Sequence, residues 1–363
     1  MLDTSEQGSD MITFLYQRDH DRIATELARR FPAVRPLIAM RDGTLRFEGK
    51  CVEANHVRPD IVWITRHVFD ENKAELFLDT ALSEANVRWV QTFNAGLDTS
   101  FRKMKAYGIK FSARAWEAAE KMGLDTSIFQ AMLLRGRRLC NSNAMAPAIA
   151  EYVMAQVSAE WYPIVAQRSA QAEHRWELTP FREMAKSRWM IFGYGSNGRE
   201  IARRAQSMGA RVTATRRTLT PDAHVDAVVN NAQGLEMLSE MDVVILTFPL
   251  SIETADFANN AFFKRMKTGS MLINISRGGL IDDAALLCAL DRGAPRIAIL
   301  DAFRKEPLPA EDPFWAHPAI RLTAHCSWAG DGVLERNDQL FIDNLENFIE
   351  GRPLMCEVDS SYF

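Results

Sequence analysis

Short apolar runs of strand length alternate with longer, helix-compatible segments along most of the chain. The strand-like runs lie at 11–16, 34–40, 61–65, 87–93, 189–192, 212–215, 243–248, 271–275 and 297–300. Helix-compatible segments such as 19–30 and 71–85 separate them. Strands that alternate with helices predict parallel sheets covered by helices on both faces. Because 363 residues leave room for two domains, the predicted fold class is α/β with two doubly wound parallel sheets.

Three glycines follow the apolar run 189–192 at GxGxxG spacing. They are Gly193, Gly195 and Gly198, and a helical pattern and a second strand-like run come after them. In this context the first glycine permits a tight turn, the second lets the backbone approach a pyrophosphate, and the third lets helix pack on strand. Glycines also mark ordinary turns, so the spacing alone is weak. Strand, turn, helix and strand together predict a dinucleotide site, with the pyrophosphate at the helix N-terminus.

Two arginines end the strand that follows the glycine motif. An NAD site usually has an acid there, which accepts hydrogen bonds from the adenosine ribose. This chain has Arg216 and Arg217, and no acid appears before Asp222. A guanidinium matches a phosphate, so the pair favours NADP over NAD. The alternative interpretation is two solvated arginines on a turn.

Composition and charge exclude several classes of protein. The formal net charge is −4, which gives no global basic field for nucleic acid. No apolar run approaches the length of a membrane span, and the polar N-terminus lacks the plan of a signal peptide. The five cysteines form no CxxC and no metal-ligand cluster with histidine, so no metal is expected. Reduced thiols in a cytoplasmic enzyme are the expectation.

Three later stretches carry residues suited to acid–base chemistry. Arg277 follows a strand-like run, Glu306 lies in ILDAFRKEPLP, and His325 ends the run IRLTAHCSW. Ligands of open α/β sheets bind outside the carboxyl ends of strands, where all three would lie. Arginine can hold a carboxylate bidentately, histidine can protonate a carbonyl oxygen, and a glutamate beside it would stabilise the imidazolium and orient the ring. These are the parts needed to reduce a 2-oxo acid.

With these motifs in hand, the chain resembles the D-isomer-specific 2-hydroxyacid dehydrogenases over nearly its whole length. The resemblance rests on the glycine motif and on WVQTFNAGLD (89–98), PLSIET (249–254), INISRGGLID (273–282), LDAFRKEPLP (300–309) and LTAHCSW (322–328). It implies a Rossmann NAD(P)-binding domain, 144–326, inserted into a flavodoxin-like substrate domain, 1–143 plus 327–363, with the active site in the cleft between them. It also implies a homodimer. The long helical pattern from Ala144 is either a domain-bridging helix or part of that interface.

The resemblance assigns roles to single residues. Arg277 looks like the substrate-binding arginine, Glu306 like the acid paired with histidine, and His325 like the proton donor and acceptor. Ala95 and Gly96 would offer N–H groups to the substrate carboxylate. The remaining positions match cofactor contacts, with Asp301 at the nicotinamide amide and Ser196, Asn197, Pro249, Ile275 and Ser276 along the rest of the dinucleotide. Trp328 either lines the substrate pocket or is a buried hinge aromatic.

The chain departs from the family pattern at several places. Ala324 stands where a proline usually precedes the histidine, and Asn197 replaces an aliphatic residue. An insertion between Gly96 and Cys140 contains GLDTS twice, at 96–100 and 123–127. The repeat is either a local duplication or the chance recurrence of a turn-and-cap sequence.

Two classes of function remain as hypotheses. The first is an NADPH-preferring reductase of a small 2-oxo acid such as glyoxylate or hydroxypyruvate. Within that fold, formate oxidation is disfavoured because formate dehydrogenases carry glutamine where Glu306 stands, whereas phosphite oxidation retains a similar triad. The second is a dinucleotide-sensing, corepressor-like binding protein with little turnover. Measurable turnover separates the two.

Overall fold

The computed structural model describes residues 11–53, 56–97 and 127–359. Its strands are β1 (Met11–Tyr16), β2 (Val34–Ala39), β3 (Leu45–Phe47), β4 (Lys50–Val52), β5 (Ile61–Ile64), β6 (Trp89–Thr92), β7 (Arg138–Cys140), β8 (Arg188–Phe192), β9 (Arg211–Thr215), β10 (Ala227–Val229), β11 (Val243–Leu246), β12 (Met271–Asn274), β13 (Ile297–Leu300), β14 (Ile320–Leu322) and β15 (Glu357–Val358). Its α-helices are α1 (Gln17–Arg30), α2 (Arg66–Asp70), α3 (Ala74–Ser83), α4 (Ile128–Leu134), α5 (Ala146–Trp161), α6 (Ile164–Ala172), α7 (Ser196–Ser207), α8 (Asn231–Glu236), α9 (Asn260–Arg265), α10 (Asp283–Asp291) and α11 (Val333–Ile349). Single 3₁₀ turns lie at Met184–Lys186, Leu238–Glu240, Gly278–Leu280 and Pro313–Trp315.

The first compact unit contains the described residues up to Ala144 and those from Leu334 onward. Its sheet has the order β15-β7-β6-β5-β1-β2-β3-β4, in which the five strands from β7 to β2 are parallel. Taken along the chain, those five have the order 2-1-3-4-5 of a flavodoxin-like fold. The hairpin β3–β4 and the terminal β15 add antiparallel edges.

Alternating side chains of the central strands cover both faces of this first sheet. Phe14 and Tyr16 of β1 pack in a layer with residues of α3 and α4, whereas Leu15 packs on the opposite face with residues of α1 and α11. Helix α11 is fixed there by Phe341, whose ring stacks on Trp63 at 4.2 Å between centroids. The last helix therefore belongs to the same core as the first.

The second unit, Met145–Val333, interrupts the first in sequence. Its sheet has the order β10-β9-β8-β11-β12-β13-β14, and each neighbouring pair is parallel. In chain order this is 3-2-1-4-5-6-7, a Rossmann arrangement whose strand order reverses between β8 and β11. The predicted fold class of two doubly wound parallel sheets is confirmed.

The structure differs from two of the predicted helices. The predicted helix 71–85 is α3, which begins at Ala74, and an additional short helix, α2, precedes it. Between the two lies Asn72, whose φ of 55° is the left-handed conformation that asparagine tolerates. The segment from Ala144 is α5 and then α6, because Pro163 forces Tyr162 into an extended conformation with ψ of 125°. The apolar residues predicted on that first helix, Ile149, Val153 and Val157, are buried, and α5 packs on α7 of the same unit.

Some expectations fall outside the described residues. The first GLDTS copy is described only at Gly96 and Leu97, and the second only at Ser127. The duplication therefore stays a prediction. Among the described residues, no helix combines the length and apolarity that crossing a bilayer requires.

Candidate active site

The three glycines of the turn after β8 differ in whether the packing of the chain itself explains them. Gly193 has φ of 100°, and a Cβ there would lie 2.6 Å from the Phe248 nitrogen. A Cβ on Gly198 would lie 2.5 Å from the Gly193 oxygen. A Cβ on Gly195 would meet nothing within 4 Å, and its φ of −92° is open to any residue. The fold therefore explains two of the three glycines and leaves room at the third.

That room lies at the start of a helix. Gly195 is the N-cap of α7, and no side chain caps the helix at this position. Ser196 and Asn197 form its first turn, so the unpaired N–H groups and the positive end of the helix dipole meet there. The turn fits a pyrophosphate by its open second glycine as well as by its charge.

The predicted adenosine end of the site carries its two arginines after β9. The Arg216 nitrogen donates to the Val229 oxygen at 3.0 Å, and its side chain is half-buried, whereas Arg217 is exposed. The first acid after them, Asp222, forms an ion pair with Arg199 of α7 at 2.8 Å. The His224 N–H, the largest cause, lowers the pKa of Asp222, and the charge of Arg199 adds to this. The carboxylate of Asp222 is therefore already paired with the Arg199 guanidinium.

Arg277 extends from a rigid turn after β12. Asn274 is fully buried, and its amide donates to the Arg277 oxygen at 2.9 Å and accepts from the Ser276 nitrogen at 3.1 Å. The Ser276 hydroxyl donates to the Phe248 oxygen at 2.6 Å. Ile275 is buried too, whereas Pro249 is exposed. The turn thus connects Arg277 to the segment that follows β11.

His325 and Glu306 form a hydrogen-bonded pair. The His325 Nδ1 lies 2.9 Å from the Glu306 Oε2, and the two side chains are 34% and 36% exposed. The Phe303 N–H donates to the other carboxylate oxygen at 2.8 Å. Burial opposes ionisation of Glu306, but the hydrogen bonds from His325 and Phe303 and the charge of Arg277 outweigh it, so the pKa of Glu306 lies below its usual value. Glu306 is therefore a carboxylate at neutral pH.

Asp301 directly follows β13 and is fully buried. Its Oδ1 accepts from the Thr323 hydroxyl at 2.5 Å and the Cys326 N–H at 2.9 Å, and its Oδ2 accepts from the Ser327 N–H at 2.9 Å. A carboxylate has about four acceptor positions. Among the described residues three donors occupy this carboxylate, so one acceptor position on Oδ2 is left for the predicted contact with a nicotinamide amide.

Trp328 contacts the histidine through the main chain. Its indole N–H donates to the His325 oxygen at 2.8 Å, and its side chain is half-buried. Trp328 is therefore not a fully buried hinge aromatic, and its place in a substrate pocket stays a prediction.

The structure divides the predicted site residues between the two units. Arg277, Asp301, Glu306 and His325 come together at the carboxyl edge of the second sheet, as does the glycine turn. Ala95 and Gly96 lie in the first unit, in the loop after β6, where the Asn141 amide donates to the Ala95 oxygen at 2.9 Å. Sequence reasoning missed Thr323, although it stands in the LTAHCSW motif, and Tyr152, whose hydroxyl lies 2.8 Å from the Thr323 hydroxyl.

No set of three or more candidate metal ligands converges in the parts of the chain that the structure describes.

The chain is similar to several known proteins. Residues 154–327 match the family model for the D-isomer-specific 2-hydroxyacid dehydrogenase NAD-binding domain. A glycerate dehydrogenase of Methylorubrum extorquens is 33% identical over 48% of this chain and 54% of its own. A hydroxypyruvate reductase of Blautia hydrogenotrophica is 31% identical over 50% of this chain and 59% of its own. The alignments thus span about half the length of these curated relatives.

Solved structures are also similar to this chain over almost its whole length. One of them is a D-isomer-specific 2-hydroxyacid dehydrogenase family protein from Aeromonas salmonicida, 25% identical, with a TM-score of 0.71. The similarity covers 97% of this chain and 99% of that one.

The glycine turn generates the first prediction. Gly195→Ala should fold normally and bind NADPH at least about ten-fold more weakly, because the added methyl group meets only the ligand. Gly198→Ala should lose about 1–3 kcal/mol of unfolding free energy, because its methyl group overlaps backbone. Urea unfolding and fluorescence titration with NADPH measure the two effects. Unchanged affinity in Gly195→Ala would show that no ligand approaches this glycine.

Proposed function

This chain belongs to the D-isomer-specific 2-hydroxyacid dehydrogenase family, and from that premise we propose that it transfers a hydride from NADPH to a small 2-oxo acid such as glyoxylate or hydroxypyruvate. The observation that carries the proposal is the His325–Glu306 pair, joined at 2.9 Å. It lies beside Arg277, which helps to lower the pKa of Glu306. The same edge of the sheet carries the glycine turn.

Each charged residue has a distinct part in the proposed reaction. The Arg277 guanidinium binds the substrate carboxylate and polarises the adjacent carbonyl. The His325 Nδ1 faces Glu306, so its Nε2 is the nitrogen that donates a proton to the carbonyl oxygen. Glu306 stabilises the imidazolium from which that proton leaves and fixes the ring. Bound NADPH would supply the hydride to the carbonyl carbon, which becomes the carbon of a D-2-hydroxy acid.

The residues proposed to hold the cofactor fit its parts. The backbone around Gly193, Gly195 and Gly198, with Ser196 and Asn197, would hold the pyrophosphate. Pro249, Ile275, Ser276 and Asp301 would surround the nicotinamide half. From the family resemblance, the N–H groups of Ala95 and Gly96 would bind the substrate carboxylate, and Trp328 would contact the substrate.

The catalytic assignment predicts the behaviour of two variants. His325→Ala should lower kcat by about 10²–10⁴-fold, because it removes the proton donor. Arg277→Ala should lower kcat/KM by about 10–100-fold, because a charge-assisted, bidentate contact is lost. Loss of NADPH absorbance with glyoxylate and hydroxypyruvate measures both. His317→Ala, in the same unit, is the matched control and should leave turnover unchanged.

A different result would contradict this assignment. Full activity in His325→Ala would remove the histidine from the reaction. If the wild type binds nucleotide but turns over no 2-oxo acid, the result would favour the dinucleotide-sensing binding protein instead.

The proposed preference for NADPH rests on the two arginines after β9. Arg216 is placed by its main-chain bond to Val229, and Asp222 is engaged by Arg199, so the strand end presents positive charge. A ribose phosphate would be favoured there and a bare ribose would lack its usual acid partner.

Cofactor selectivity provides the corresponding prediction. Arg216→Asp should reduce the ratio of kcat/KM for NADPH to that for NADH by about 10–100-fold, because it replaces a phosphate partner with a carboxylate. Initial rates with each cofactor measure the ratio. Arg211→Ala removes an arginine from the other end of the same strand and should leave the ratio unchanged. Equal use of both cofactors by the wild type would reduce Arg216 and Arg217 to solvated turn residues.

We extend the proposal to a cytoplasmic homodimer. The five cysteines are unpaired, as expected in a reducing compartment. Helix α6 and the segment after it expose several large apolar side chains, and such exposure marks interaction surfaces. They are Ile164, Val165, Trp176, Leu178 and Phe181.

The dimer is tested by its mass. Sedimentation velocity should give twice the monomer mass for the wild type and the monomer mass for the double variant Trp176→Ser, Leu178→Ser, because the variant removes two exposed apolar side chains. A monomeric wild type at micromolar concentration would contradict the proposed dimer.

A further inference from the structure

His325 holds a backbone conformation that its surroundings must maintain. Its φ is 49°, in the left-handed region that side chains other than glycine rarely adopt. Such a conformation costs free energy and persists only where neighbouring contacts fix it. The residues on either side, Ala324 and Cys326, are neither proline nor glycine. Hydrogen bonds must therefore hold the turn.

Asp301 supplies those bonds on the C-terminal side of the histidine. Its two carboxylate oxygens accept the N–H groups of Cys326 and Ser327, the two residues after His325, each at 2.9 Å. The direction of these N–H groups sets the backbone of the turn. The orientation of the Asp301 carboxylate thus determines the position of the His325 backbone.

A chain of two hydroxyl groups orients Asp301. The Thr323 hydroxyl lies 2.5 Å from Asp301 Oδ1 and 2.8 Å from the Tyr152 hydroxyl. A hydroxyl has one hydrogen, and Thr323 gives it to the carboxylate, so Tyr152 is the donor in the other bond. A hydroxyl that accepts a hydrogen bond is a stronger donor. Without Tyr152, the Thr323 hydroxyl would lose the bond it accepts, and its bond to Asp301 would weaken.

Tyr152 is a suitable anchor for this chain of bonds. It lies on α5, whose buried residues include Ile149 and Val153. Burial, the largest cause, raises the pKa of Tyr152 to about 12. The phenol therefore remains a hydrogen-bond donor throughout the range in which an enzyme works.

We infer that Tyr152 is a positioning residue for His325, acting through the Thr323 hydroxyl and the Asp301 carboxylate. It touches neither the imidazole nor Glu306 through any hydrogen bond that the described residues show. The inference rests on the proposed function for its kinetic consequence, but its structural consequence, a fixed imidazole, does not depend on that function.

The kinetic test uses conservative variants that remove single hydroxyl groups. Tyr152→Phe and Thr323→Val should each lower kcat by about ten-fold, because small displacements of a catalytic group cost rate, while KM for the 2-oxo acid stays within about two-fold. Thr323→Ser keeps the hydroxyl and should restore kcat to near the wild-type value. Tyr162→Phe makes the same substitution at the end of the same helix and should change nothing. A wild-type kcat in both Tyr152→Phe and Thr323→Val would overturn the inference.

A second measurement does not require turnover. Proton–nitrogen NMR of histidine-labelled protein, with the His325 signals assigned from His325→Ala, reports the Nδ1 bond to Glu306. Tyr152→Phe should shift or broaden the His325 signals, and Tyr162→Phe should leave them in place. If the wild type reduces no 2-oxo acid, the proposed function fails, and this comparison still decides the inference. Lower thermal stability in Tyr152→Phe with unmoved His325 signals would make Tyr152 merely structural and would overturn the inference.

Discussion

The close approach of two backbone segments at Gly278 is the constraint on which the candidate active site depends. A Cβ at this position would overlap the backbone of Phe303 and Arg304. Arg277 directly precedes the contact, and the Phe303 N–H donates to Glu306. The missing side chain therefore sets the separation between the arginine and the acid. No other residue type permits it, because backbone has little room to move aside.

Most of the fold was predictable because the periodicity of apolar residues reports burial directly. Strands buried on both faces, such as β8 and β12, appear as continuous apolar runs, and they were located within one or two residues. The short strands at the two ends of the first sheet were not predicted, since β3, β4 and β15 are two or three residues long and partly exposed. The apolar pattern did not indicate the break between α5 and α6, whereas Pro163 marks it in the sequence.

The candidate site was predictable only in part, because some of its contacts join residues that lie far apart in the sequence. The residues with reactive groups lie in motifs whose spacing indicates their chemistry, so Arg277, Glu306 and His325 could be named before the structure was known. Tyr152 and Thr323 are 171 positions apart and carry no motif that joins them. Contacts of that separation follow from the packing of α5 beside the sheet, which periodicity does not specify.

Aspartates serve the two edges of these sheets differently. At the amino edge, an aspartate accepts the N–H at the start of a neighbouring strand and so ends the ladder without an unpaired donor. Three aspartates do this: Asp60 for Ile12, Asp226 for Val212 and Asp242 for Arg188. Asp301 makes the same kind of bond at the carboxyl edge, but its donors belong to the turn beyond β14. Elsewhere, an aspartate that accepts a backbone N–H only completes the hydrogen bonding at the end of a strand. Here the same interaction fixes the turn that carries His325, so one kind of hydrogen bond serves both the fold and the candidate site.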